Sequence, residues 1–162
     1  MSKAFTKEDD GGDIVVGRPI PKGGPLRPIT ARGLAALQAR LTAVETELAA
    51  SDPTAPNAAM GQQALRHERE LVAATIASVG VLEAPAAPQQ AGFGCRVTVH
   101  GARGDRVLVL VGPDEAEPKL GRISVFSPVG QALVGAIVGA EVELRRPGVT
   151  EHVQVLAIEA DA

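Results

Sequence analysis

The chain has 162 residues, of which 45% are hydrophobic but only 2% aromatic; it has no Trp or Tyr, and its three rings are Phe5, Phe93 and Phe126. That shortage excludes base-stacking nucleic-acid platforms, Trp- and Tyr-lined proline-motif grooves and the ring-walled pocket of a prolyl isomerase. Sixteen basic and nineteen acidic residues give a net charge of −3, evenly spread, which argues against free nucleic acid as the main partner. The lone Cys95 has no internal partner, so a reducing, cytoplasmic setting is expected. No apolar run reaches about 18 residues and the polar start lacks a signal-peptide core, so no membrane partner is expected.

Residues 1–29 hold five Gly and four Pro and read as a disordered or extended tail. From Thr30, a good N-cap, Leu34, Leu37, Leu41, Val44 and Leu48 recur at alternating spacings of three and four. This is the narrow stripe of a coiled-coil seam. Pro53 and Pro56 end the helix near Ala50. A second helix is expected from about Ala58 to Val79, with Leu65, Val72, Ile76 and Val79 on its seam. The short turn between them, near 51–59, makes residues 30–83 an antiparallel helical hairpin.

Residues 84–92 form a Pro, Ala and Gln linker. Beyond it the period becomes two, and five strands are expected over 93–100, 106–111, 122–126, 141–145 and 152–159. Ser127 caps a short helix with Pro128 in its first turn. Residues 93–162 should thus form a small, mostly antiparallel sheet with one short helix, in an α+β chain.

The ordering and one run of residues resemble the Gre family of bacterial transcription elongation factors. The specific part is Ile123-Ser124-Val125 leading into Ser127-Pro128, then Gln131-Ala132-Leu133-Val134-Gly135, then Val138-Gly139 before the Glu141–Leu144 strand. Met1-Ser2-Lys3-Ala4-Phe5-Thr6-Lys7-Glu8 is similar to the start of GreB-type proteins. Pro28-Ile29-Thr30 with Gly33, Leu34 and Leu37 resembles the family's first coiled-coil turn. The resemblance implies an FKBP-like C-terminal domain that docks at the mouth of the RNA polymerase secondary channel, with the hairpin reaching inward. Bacterial RNA polymerase is then the partner, nucleic acid being contacted only indirectly. The docking candidates are Ile123, Ser124, Phe126, Ser127, Pro128 and Leu133.

The family's hairpin tip presents clustered carboxylates that help hold a magnesium ion and promote cleavage of backtracked RNA. Here the tip has Asp52 as its only carboxylate, with Asn57 beside it. A hard cation needs more oxygen ligands than that. Asp52 therefore reads as an ordinary turn residue before proline, and as a metal ligand only if the tip shares the polymerase magnesium. The hairpin also looks roughly twenty residues shorter than the family's, about three turns per helix. No cofactor of its own is expected, and no small-molecule substrate.

Phe126 stands where the family commonly has a polar or acidic residue. Strict alternation puts Ile123 and Val125 on one face and Ser124 and Phe126 on the other, yet strand ends often twist away from it. Phe126 is thus read either as an exposed anchor for polymerase or as a core side chain. His67, His100 and His152 show no metal-ligand spacing with Cys95, and the acidic run Asp114–Lys119 reads as a solvated loop. The expectation is a polymerase-binding factor without transcript-cleavage stimulation and with no catalytic constellation. The alternatives are a cleavage-competent Gre factor, a prolyl isomerase and a coiled-coil scaffold.

Overall fold

The computed structural model describes residues 27–161; the expectations for the tail before Arg27, including the GreB-like start and Phe5, lie outside the described residues. Helix α1 spans Ala31–Ala50 and helix α2 Ala58–Ser78. The Thr30 hydroxyl accepts from the Gly33 amide at 3.0 Å, which satisfies one of the donors left free at a helix start. The two stripes meet along the hairpin: Val44 is fully buried, and Leu34, Leu37, Leu41, Leu48, Leu65, Val72 and Ile76 are half-buried. Arg40 and Glu68 pair across the seam at 2.6 Å, and Gln62 donates to Ser51 at 3.0 Å.

A two-residue strand β1 (Pro28–Ile29) lies parallel to β2 (Gly80–Val81). The Gly80 amide donates to the Arg27 carbonyl and the Leu82 amide to the Ile29 carbonyl, each at 3.0 Å. Composition assigns Pro28 and Ile29 to the tail. Both are fully buried instead, because these backbone bonds tie them to the exit of α2 and close the base of the hairpin.

The C-terminal sheet has the order β5-β4-β3-β7-β6, formed by β3 (Cys95–Gly101), β4 (Gly104–Val111), β5 (Arg122–Ser124), β6 (Glu141–Arg146) and β7 (Val149–Ala160). Each of the five expected strands is present. Three of the four pairings are antiparallel, and β5 joins β4 in parallel. The chain leaves β4 at Val111, passes through two short 3-10 turns over residues 113–120 and returns alongside, so the sheet is mixed. Helix α3 (Pro128–Leu133) packs on β6. Val97, Val99, Leu110, Val125, Leu133, Leu144 and Val155 form the core. With a single ring, Phe93, it is filled mainly by β-branched and Leu side chains, which interdigitate on a pleated surface.

The linker ends inside this core. Ala91 and Phe93 are buried, and Ala91 exchanges backbone hydrogen bonds with Ala136 and Gly135, each at 2.8 Å. Strand β3 consequently starts at Cys95, two residues after the pattern suggests. Phe93 is the aromatic residue of the core, and Cys95 beside it is a small apolar filler whose thiol burial pushes up from its ordinary value.

Candidate functional site

The segment from β5 into α3 is a turn organised by two serines. The Ser127 hydroxyl donates to the Ser124 carbonyl at 2.7 Å and accepts from the Gly130 amide at 3.1 Å, which caps α3. The Phe126 amide donates to the Ser124 hydroxyl at 3.2 Å. Gly130 is required here because a Cβ would run into the Ser124 carbonyl. The turn pushes Phe126 outward, leaving it 40% exposed, with Pro128 also at the surface. Ile123, Val125 and Leu133 point into the core. Of the six sequence-derived candidates, then, Phe126 and Pro128 are open to a partner. Ser124 and Ser127 shape the turn, Leu133 is fully buried, and Ile123, nearly buried, edges the groove beside the turn.

A groove of about 590 Å³ opens beside this turn. Val107, Leu108, Leu120, Ile123 and Val129 line it, together with Arg106, Lys119 and Arg146. The domain therefore has a concavity that the ring shortage did not suggest. Its walls are largely aliphatic, with three cationic side chains, Ser124 and Ser127, and no aromatic side chain. Arg106 is steered by Glu151 at 2.7 Å.

The hairpin tip is a local turn. One Asp52 oxygen, Oδ1, accepts from the Thr54 amide at 2.8 Å and the Thr54 hydroxyl at 2.6 Å. These bonds hold the carboxyl below its ordinary value. Asn57 adopts a left-handed conformation, φ 63°, that lets the chain enter α2. Glu68, the nearest acid on α2, is held low by its hydrogen bond from Arg40. Among the described residues no group of three or more His, Cys, Asp or Glu is placed to hold a metal ion. One carboxylate with an oxygen already engaged does not make a magnesium site by itself.

The loop between β4 and β5 holds what the sequence does not disclose. Glu115, read there as part of a solvated run, is 5% exposed along its side chain. Its carboxylate accepts from the Thr30 amide at 2.8 Å and the Thr30 hydroxyl at 2.5 Å. It also accepts from the Gly112 amide at 3.2 Å and from Arg122 at 3.0 Å. Beside it, Asp114 takes the Arg27 guanidinium. The only hint in the sequence is that the first turn of α1 carries no acid of its own, although a helix N-terminus favours a negative charge.

Residues 86–160 match the family model described as Transcription elongation factor, GreA/GreB, C-term. This C-terminal stretch is similar to the GreA/GreB C-terminal domain. Transcription elongation factor GreA of Thermodesulfovibrio yellowstonii is 41% identical over 68 residues, covering 41% of this chain and 43% of that protein. GreA of Solidesulfovibrio magneticus is 40% identical over 72 residues, 43% of this chain and 44% of that one. The chain thus matches less than half the length of these curated relatives. Among solved structures, GreA factor homolog 1 of Thermus thermophilus aligns with TM-score 0.41 and 20% identity, over 83% of this chain and 99% of its own. A GreA/GreB factor of Nitrosomonas europaea aligns with TM-score 0.40 and 20% identity, over 82% and 98%. The serine turn and Phe126 fall within the residues that match this family model, whereas the hairpin lies outside them. No helix among the described residues is long and apolar enough to cross a membrane.

Proposed function

We propose that the chain is a Gre-type factor that binds bacterial RNA polymerase at the secondary channel and does not stimulate transcript cleavage. The observation that carries this reading is the exposed Phe126–Pro128 turn on a domain matched to the GreA/GreB family. An aromatic residue held at the surface by a rigid turn is a low-entropy anchor, and such anchors dominate interface energetics. The adjoining aliphatic groove with its three cations favours an acidic, apolar polymerase element. The hairpin, about 30 Å long by its helical rise, would enter the channel and narrow it. Asp52 gives the tip a single carboxylate, engaged in its own turn, so the tip adds little to a magnesium ion held by polymerase. The protein acts on another enzyme and has no reaction of its own.

Two measurements test this. Purified chain should retain core polymerase in a pull-down, and Phe126→Ala should weaken that retention about tenfold or more. The chain should leave a stalled, backtracked complex uncleaved. Magnesium-dependent cleavage abolished by Asp52→Ala would overturn the second half of the reading. Failure of the wild type to bind core polymerase would overturn the first.

A further inference from the structure

We infer that Glu115 is a positioning latch that sets the direction of the helical hairpin relative to the strand bearing the Phe126–Pro128 turn. The inference rests on the polymerase-binding reading for its functional meaning, but its geometry stands without it.

The latch is a chain of contacts running from one part of the protein to the other. On the hairpin side, Thr30 gives Glu115 both its amide and its hydroxyl, while that hydroxyl accepts from the Gly33 amide inside α1. On the sheet side, Arg122 holds the same residue twice, donating to the Glu115 carboxylate at 3.0 Å and to its carbonyl at 3.2 Å. Arg122 opens β5, and Phe126 follows four residues later. One carboxylate thus joins the first turn of the hairpin to the strand that presents the docking turn. The other helix is tied in through Arg27, which donates to Asp114 and also to the Ser78 hydroxyl at 3.2 Å, at the end of α2.

Two glycines make the approach possible. A Cβ on Gly33 would collide with the Glu115 carboxylate, and one on Gly112 would collide with the Pro28 carbonyl. A cleft of about 430 Å³ opens at this joint between the start of α1 and the β4–β5 loop, lined by Arg32, Gly33, Leu37, Glu115, Glu117 and Leu120 among others. The lever arm is long: a tilt of about 10° at the base moves a tip about 30 Å away by about 5 Å. Small freedom at Glu115 therefore becomes large freedom at Asp52.

The test is a distance measurement between spin labels at Ala59→Cys, near the tip, and Arg103→Cys, in the β3–β4 turn. The native Cys95 is buried and stays unlabelled. The parent chain should give one narrow distance distribution. Glu115→Ala should widen it by about 5 Å or more, and Gly33→Ala should do the same by displacing the carboxylate. Glu115→Gln, which keeps the shape but not the charge facing Arg122, should fall between. Wild-type distributions in both Glu115 variants, with native circular dichroism, would overturn the latch. If Glu115→Ala does not fold, the Glu115→Gln distribution decides. A parent chain that fails to bind polymerase yet shows these changes would remove the functional reading and leave the latch.

Discussion

Thr30 and Glu115 lie 85 residues apart in the chain and are joined by hydrogen bonds of 2.8 and 2.5 Å from the threonine amide and hydroxyl. The threonine caps α1, and the glutamate brings to that helix terminus the negative charge its own first turn lacks. Because the same carboxylate accepts from Arg122, the capping of a helix and the joining of two structural units are one set of bonds.

That coupling has a thermodynamic signature. Thr30→Ala should cost about 1 to 2 kcal/mol through the lost cap, and Glu115→Gln about 1 to 3 kcal/mol through weakened charge-assisted bonds. The double variant should lose less than the sum, with a coupling of about 0.5 to 3 kcal/mol. Urea titrations of the four proteins check this, and strictly additive losses would contradict the shared network.

Phe126 and Leu133 sit seven residues apart and should behave oppositely. Phe126→Ala should change stability by less than about 0.5 kcal/mol, as surface changes do, while weakening polymerase retention. Leu133→Ala removes a fully buried side chain and should cost about 2 to 5 kcal/mol. Thermal melts beside the pull-down separate the two effects.

Asp52 should report pH locally at the tip. Its folded-state pKa lies below its ordinary value of 3.8, so the turn's stabilisation is fully present above that value and is lost as pH falls through the lower folded pKa. The Thr54 amide resonance should therefore stay constant down to about pH 4 and titrate below it. A midpoint at or above 3.8 would show that the Thr54 bonds do not hold the carboxylate.

Cys95 is buried, and burial raises its thiol pKa. Alkylation by iodoacetamide at pH 8 should be slow in the native protein and should follow global unfolding as urea is added. Rapid modification of the native chain would place the thiol outside the core.

Much of the architecture is legible from local pattern. The stripe from Leu34 to Leu48 declares one helix, and the two prolines after Asp52 declare its end. The alternation of Val97, Val99, Leu108 and Leu110 declares half-buried strands. The serine turn was legible too, since Ser127-Pro128 is a cap followed by a first-turn proline. Alternation alone left Phe126 undecided between surface and core. The hydrogen bonds among Ser124, Phe126 and Ser127 settle its exposure, because they bend the chain at the end of β5. The parallel placement of β5 was not legible, since period-two patterning does not record strand direction.

Local pattern alone specifies an α+β chain with a capped hairpin and an aliphatic sheet domain nearly devoid of rings. Helix and strand periods, caps and prolines act over a few residues, and nothing distant can silence them. The role of the acidic loop emerges only from contacts between distant parts of the fold. A glutamate among Asp114, Glu117 and Lys119 has the composition of a solvated turn. Its partners are Thr30 at the hairpin base and Arg122 on β5, and no local pattern pairs residues that far apart. Burying a carboxylate requires that every oxygen find a donor, and at Glu115 those donors come together only when hairpin, loop and sheet are already assembled.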